Sequence, residues 1–153
     1  MPIKDYTTKI DAAKTAGEVQ TILAKAGASG VAMRYDNGEP VALAFTAMTP
    51  FGMREFTVPA DWQAVQRVLR RQKVTPSLQT DEQAKRVAWR IVKDWVEAQL
   101  AIIQTEMVTI DQVMLPYMRT DDPEGGAAPV TMFEAYHRTQ QLMIENGRDV
   151  GQL

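Results

Sequence analysis

Residues 31–58 read VAMRYDNGEPVALAFTAMTPFGMREFTV, and this stretch decides the fold class. Its first two apolar runs are separated by Asn37-Gly38, a dipeptide typical of a tight β-hairpin because both residues tolerate a positive φ. Thr49-Pro50-Phe51-Gly52 marks a second turn, and residues 53–58 alternate as a strand with two different faces does. We therefore predict a three-stranded antiparallel meander.

Helical patterns flank the meander on both sides. Residues 15–26 begin with a capping-box spacing and stop at Gly27, as helices commonly do. Residues 6–10 are predicted to add a short fourth strand in front of this helix. After the meander, a helix is predicted to begin at Pro59, since proline favours the first helical position.

The longest pattern opens at Thr80 with Gln83 three residues later, a second capping-box spacing, and runs without Gly or Pro to about Met107. Its apolar stripe is broad and consists of Ala84, Ala88, Ile91, Trp95, Ala98 and Ile102, widened by Val92, Val96, Leu100 and Ile103. A stripe this wide is predicted to be buried against the sheet and against another helix or a second subunit.

With 153 residues, the chain is predicted to form one α+β domain, a three- to four-stranded antiparallel sheet packed by helices with a long amphipathic helix in its C-terminal half. The predicted parts are a sheet-containing half (1–73), the long helix and a short helix (80–118), an acidic loop (119–129), a terminal helix (130–145) and a frayed tail (145–153).

Composition excludes several kinds of site. The chain has no cysteine, which excludes a disulfide framework, a thiolate zinc site and a cysteine nucleophile. No apolar run is long enough to cross a membrane and no secretory signal is visible, so we expect a cytoplasmic protein without a membrane partner.

No catalytic motif is present, so we expect no enzyme, no cofactor and no metal. The single histidine, His137, has no second ligand nearby and is interpreted as structural or exposed. Asp121, Asp122 and Glu124 stand beside Gly125-Gly126, and this loop is interpreted as a solvated linker because a cation site needs a rigid frame.

Charge is unevenly distributed along the chain, although the net charge is only −2. Residues 61–94 hold eight basic and four acidic side chains, whereas residues 95–153 hold three basic and nine acidic ones. This pattern fits a basic face for an anionic partner. It equally fits two helices of opposite charge that form ion pairs with each other within the fold.

The basic cluster supplies the candidate nucleic-acid-binding residues, which are Arg67, Arg70, Arg71, Arg86, Trp89, Arg90 and Lys93. Guanidinium groups beside an aromatic ring are what phosphates and unstacked bases require. The alternative is a self-paired helix face, because Asp94 and Glu97 follow Arg90 and Lys93 at a spacing of four.

Several segments resemble a family of uncharacterised conserved hypothetical proteins from phages and prophage regions of bacteria. The segments are KDYTTKI (4–10), the hairpin YDNGE (35–39), RVAWRIVKDWVEAQ (86–99) and LPYM (115–118). The resemblance implies a small accessory protein inside the host cell and raises a role in replication or recombination, and it supplies no catalytic residue.

Two functions follow as hypotheses. The first is a non-enzymatic phage accessory protein that binds nucleic acid, for instance single strands. The alternative is a protein-interaction module, or an oligomeric adaptor or inhibitor, that acts on a host or phage protein. A homo-oligomer, most simply a dimer, is expected in either case.

Overall fold

The computed structural model describes residues 1–147 and confirms the α+β class, with a three-stranded antiparallel sheet, helices against it and a long helix in the C-terminal half. The predicted frayed tail lies largely outside the described residues. The helices are α1 (Ala12–Lys25), α2 (Trp62–Arg71), α3 (Asp81–Gln104), α4 (Ile110–Met114) and α5 (Met132–Glu145), and the strands are β1 (Gly30–Asp36), β2 (Glu39–Thr49), β3 (Gly52–Thr57), β4 (Arg119–Thr120) and β5 (Val130–Thr131).

The meander forms as predicted, in the order β1-β2-β3. Asn37 and Gly38 take φ values of 49° and 77°, so both central residues of the first turn have the left-handed backbone that a two-residue hairpin needs. Side chains of β2 alternate from Ala42 onward, after an irregularity in its pairing with β1, and Leu43 and Phe45 lie on the buried face. Phe45 stacks on Phe56 of β3 with ring centroids 5.4 Å apart, which fixes the register of the two strands.

Helix α3 is the centre of the molecule because three elements pack on it. Its Val92 and Val96 join the sheet and α1 in the main core, and its Ala84 joins Leu69 of α2 in a smaller one. Within the described residues, the wide apolar stripe is therefore covered largely by the sheet and two helices of the same chain, whereas Ala98 and Ile102 near its C-terminal end are exposed, contrary to the prediction. The helix ends at Gln104, three residues before the predicted end.

The predicted strand at residues 6–10 is absent, and the segment forms turns instead. Asp5 has a positive φ of 60°, and the amide of Thr8 donates to the Asp5 carbonyl at 2.9 Å. The Tyr6 and Thr8 carbonyls accept hydrogen bonds from the side-chain amide of Gln83, both at 2.9 Å. The Gln83 side chain of α3 thus donates hydrogen bonds to the carbonyls that would have accepted from a neighbouring strand.

Two helices begin at other residues than predicted. Helix α1 starts at Ala12, so Thr15 lies inside it, buried, with its hydroxyl donating to the Asp11 carbonyl at 3.4 Å. Helix α2 starts at Trp62, where the Asp61 side chain accepts from the Ala64 amide at 3.1 Å. In both cases an aspartate occupies the N-cap position, and Pro59 stays outside α2.

The C-terminal third is built from small pieces. A 3-10 turn at Leu115–Tyr117 follows α4, and the two-residue strands β4 and β5 close the acidic loop between them. Helix α5 then packs on this turn and on the β4–β5 ribbon, and none of its residues is buried. Among residues 1–147, no helix is both long and apolar enough to cross a membrane.

Candidate interaction surfaces

The cations predicted on α3 meet a carboxylate of α1. Glu18 Oε2 accepts from Lys93 Nζ at 2.8 Å and from Arg90 at 3.3 Å, and Lys93 also lies 3.7 Å from Glu97. Both cationic side chains are about four-fifths covered, each with 20% of its surface exposed. The pair with Glu97 was predicted from spacing, whereas Glu18 is 72 residues from Arg90 along the chain.

The hydrogen bond from Lys93 lowers the pKa of Glu18, and the nearby Arg90 adds to this effect. The same contact raises the pKa of Lys93. Because the folded-state pKa of Glu18 is depressed, its contribution to stability is full above the unfolded-state pKa and is lost as the pH falls through the folded-state value. The contribution of Lys93 is lost at the opposite end, as the pH rises through its raised pKa.

The remaining cation predicted on α3 is also partnered. Arg86 lies 3.9 Å from Asp11 and donates to the Gln83 side chain at 3.2 Å. Asp94, the predicted partner of Arg90, pairs instead with Lys4 at 2.6 Å, and this contact lowers the Asp94 pKa. The basic stripe of α3 is therefore largely neutralised by acidic side chains of this chain. This favours the interpretation that the charges of the helices pair within the fold over that of a basic face for an anionic partner.

Trp89 lies in the core and not at the flank of a basic face, which corrects the prediction. Only 2% of its surface is exposed, and its indole N–H donates to the Pro40 carbonyl at 3.0 Å. Trp89, Val92 and Val96 share the side of α3 that faces the sheet. In the folded chain this ring cannot stack on a nucleic-acid base.

Comparison with protein-family models, with curated proteins and with solved structures gave no match. Membership in the phage family accordingly stays a prediction.

The three arginines predicted on α2 lie together on its exposed face. Arg67, Arg70 and Arg71 follow one another at spacings of three and one, so their side chains share one side of the helix near its C-terminal end. None of them forms a salt bridge with any of residues 1–147. They interact favourably with the helix dipole, and they also form the basic patch that remains after the α3 cations are paired.

The exposed face of α5 was not identified as a site from the sequence. Phe133, Tyr136 and Ile144 expose 56%, 62% and 66% of their surfaces, and with Gln140 they recur at spacings of three and four along one side of the helix. The Phe133 ring lies 6.5 Å from Tyr136 and 6.1 Å from His137, centroid to centroid. The signal was present in the spacing, but the sequence could not tell which side of the helix faces outward.

Carboxylates occur in the loop before α5 and in the first turn of this helix. Arg138 of α5 donates to Asp122 at 2.6 Å, which holds the acidic loop beside the helix. The Asp122 pKa is lowered, first by the hydrogen bond from the Glu124 amide and then by Arg138. Asp121 and Glu124 in the loop and Glu134 on α5 form no salt bridge with residues 1–147.

Metal ligands do not converge anywhere in the described part of the chain, where no group of three or more His, Cys, Asp or Glu residues could hold an ion. His137 is exposed and stacks near Phe133. Among residues 1–147, the arginine patch of α2 and the aromatic face of α5 are thus two side-chain surfaces with unpaired charge or exposed aromatic rings.

Proposed function

We propose that this protein is a non-enzymatic protein-interaction module that binds its partner through α5. One observation carries the proposal: α5 has 14 residues, none of them buried, and it presents two aromatic rings and an isoleucine to solvent. A helix of this length is only marginally stable without packing, and exposed aromatic stripes of this kind form the centres of interfaces. Packing against a partner would stabilise the helix.

The surroundings of α5 specify the chemistry of the partner. Asp121 and Glu124 lie in the loop before α5 and Glu134 lies in its first turn beside Phe133, and none of the three forms a salt bridge with residues 1–147. An apolar stripe with acidic neighbours is complementary to a basic amphipathic helix, whose apolar side would cover Phe133 and Tyr136 while its lysines or arginines meet the carboxylates. We therefore assign a basic amphipathic helix of another protein as the occupant.

The origin of that partner rests on the resemblance alone. If the chain is a phage protein, the partner is a host or phage protein inside the bacterial cell. The aromatic face would then serve an adaptor or inhibitor.

Binding of a synthetic helix tests the proposal. The probe is a fluorescein-labelled peptide of about 18 residues, enough for five helical turns, with leucines on one side and lysines on the other. Fluorescence anisotropy is expected to show saturable binding. Changing Phe133→Ala together with Tyr136→Ala is expected to weaken binding at least tenfold, about 1.4 kcal/mol.

Phe51→Ala is the matched control, because Phe51 lies at the β2–β3 turn with 79% of its surface exposed. This variant is expected to bind like the unchanged protein. The same peptide with glutamates in place of lysines is expected to bind much more weakly. Equal affinity for both peptides, or an equal loss in the Phe51 variant, would contradict the proposal.

A second candidate function is contact with single-stranded nucleic acid through α2. It is supported by the exposed positions of Arg67, Arg70 and Arg71, which lack acidic partners among residues 1–147. Arginines without intramolecular partners are available to phosphates. The other four predicted residues do not support it, since three are cations paired to carboxylates and Trp89 is buried.

A titration with labelled single-stranded and duplex oligonucleotides tests this candidate. Three phosphate contacts predict that raising the salt from about 50 to about 200 mM weakens single-strand binding about 20-fold. Reversing Arg67, Arg70 and Arg71 to glutamate is expected to abolish binding. Reversing the exposed Lys9, Lys14 and Lys25 gives the same change in net charge elsewhere and is the control. Absence of salt-sensitive binding at low micromolar protein rejects the candidate.

A further inference from the structure

The sheet has one covered edge and one open edge. At β3, Phe56 forms a bridge with Met118, and Arg119 lies 3.5 Å from Glu55, so the segment around β4 covers this side. At the other side, β1 is the outermost strand. Among residues 1–147, no strand pairs with the outer side of β1.

The hydrogen bonds between β2 and β3 show which way the backbone amides and carbonyls of β1 point. The Leu43 carbonyl accepts from the Val58 amide at 3.1 Å, so the backbone groups of Leu43 point toward β3. Met33 is the β1 residue opposite Leu43, and its amide and carbonyl therefore point away from β2. By alternation the same holds for Val31 and Tyr35, and none of these groups is bonded by the described part of the chain.

Strand β1 lacks most of the features that prevent edge pairing. Over seven residues, GVAMRYD, it contains no proline and no lysine, and its only charged residues are Arg34 and the terminal Asp36. Val31 and Met33 are half-buried against the core and Tyr35 is largely exposed, so an apolar row ends at this edge. A strand with these properties is a template for another strand.

We propose that β1 pairs antiparallel with β1 of a second copy around a two-fold axis at Met33, which joins two meanders into one six-stranded sheet. In this register Val31 lies opposite the partner's Tyr35, and Met33 lies opposite the partner's Met33. These are the residues whose amides and carbonyls point outward, so each pair exchanges both backbone hydrogen bonds. The apolar rows of the two copies become continuous on the helix-covered face.

Charge selects this register. With the axis at Met33, Arg34 faces the partner's Ala32, a small neutral residue. Moving the axis one residue, to Arg34, would place Arg34 directly opposite the partner's Arg34, which is unfavourable. Moving it to Ala32 would leave Tyr35 opposite the partner's Ser29, outside the strand. Only the Met33 register pairs all seven residues without opposing like charges.

The assembly closes at two copies. Because residues 117–119 cover the Glu55–Thr57 part of β3, only a short piece of the outer edge is left uncovered by residues 1–147, which disfavours recruitment of further chains. Helix α5 packs on the β4–β5 ribbon beyond the β3 edge, so this dimer leaves the aromatic face of α5 available. The inference therefore stands apart from the proposed binding of a basic helix.

Cysteine cross-linking tests the register, and the chain has no cysteine of its own. Ala32 and the partner's Arg34 would form a non-hydrogen-bonded pair with Cα atoms about 4.5 Å apart, within disulfide range. Mixing Ala32→Cys with Arg34→Cys chains under mild oxidation is expected to give a mixed disulfide dimer faster than either variant alone. Met53→Cys, on the exposed side of β3, is the control and is expected to form no disulfide-linked dimer under the same conditions.

Sedimentation velocity of the unchanged protein is expected to show a concentration-dependent dimer. Tyr35→Pro removes an outward amide that the monomer does not use, so it is expected to keep the circular dichroism spectrum and to abolish the dimer. A monomer at all concentrations, cross-linking no faster than in the Met53 variant, or an unaffected dimer in the Tyr35→Pro variant would overturn the proposal.

Discussion

Replacing Trp89 with alanine is expected to lower the free energy of unfolding by about 3 to 5 kcal/mol. Trp89 is among the largest fully buried side chains, and it packs between α3 and the sheet. The change removes this apolar surface, leaves a cavity and deprives the Pro40 carbonyl of its donor at 3.0 Å. Since domains of this kind are stable by about 5 to 15 kcal/mol in total, the loss is a large part of the whole.

Urea denaturation followed by circular dichroism measures this effect. Trp89→Phe retains most of the volume but removes the indole N–H, so its expected cost is smaller, about 1 to 3 kcal/mol for the unpaired carbonyl. Phe51→Ala, a change at an exposed ring, is expected to stay within about 0.5 kcal/mol. A stable Trp89→Ala protein would show that the ring is not part of the core.

Replacing Gln83 with methionine is expected to lower the free energy of unfolding by about 2 to 4 kcal/mol, because two partly buried carbonyls lose their donor. Gln83 is 4% exposed and ties Tyr6 and Thr8 to α3 through its amide group. Methionine has nearly the same shape, so the change removes hydrogen bonds without leaving a large cavity. The N-terminal segment is expected to detach before the rest unfolds.

Hydrogen exchange resolves this local effect. Amides of residues 1–10 are expected to exchange faster in the Gln83→Met protein, while those of the sheet change little. Gln72→Met is the matched control, since Gln72 also holds the N-terminus, by accepting from the Ile3 amide and donating to the Met1 carbonyl, but in a more exposed position. Equal effects of the two changes would contradict the special role of Gln83.

The parts of the fold that were predicted correctly are those that a few neighbouring residues decide. Asn37-Gly38 forms its turn because both residues accept a positive φ, whatever packs around them. Thr80 begins α3 because its hydroxyl accepts from the Gln83 amide at 3.2 Å, a contact within one turn. The errors at the segment 6–10 and at Trp89 concern residues whose partners are remote, whereas the starts of α1 and α2 were misplaced relative to the local N-cap residues Asp11 and Asp61.

In the candidate site, too, contacts within one helix were predicted and contacts between distant elements were not. The sequence identified the cations of α3, and spacing predicted the contact of Lys93 with Glu97. It did not identify Glu18 as the partner of Lys93 and Arg90, because that contact depends on how α1 packs against α3. Likewise, α5 was predicted to be amphipathic, and only its packing against residues 115–117 shows that Phe133 and Tyr136 face outward.

By itself, the sequence determined the α+β class, the order of the strands in the meander and the existence of the long helix. These depend on turn dihedral angles, caps and periodicity, which act over a few residues. Tertiary structure alone decided that Trp89 is buried, that Glu18 neutralises the α3 cations Arg90 and Lys93, and that residues 1–147 leave the β1 edge and the α5 face uncovered. Each of these depends on which surfaces meet, and that is set by packing between elements distant in the chain.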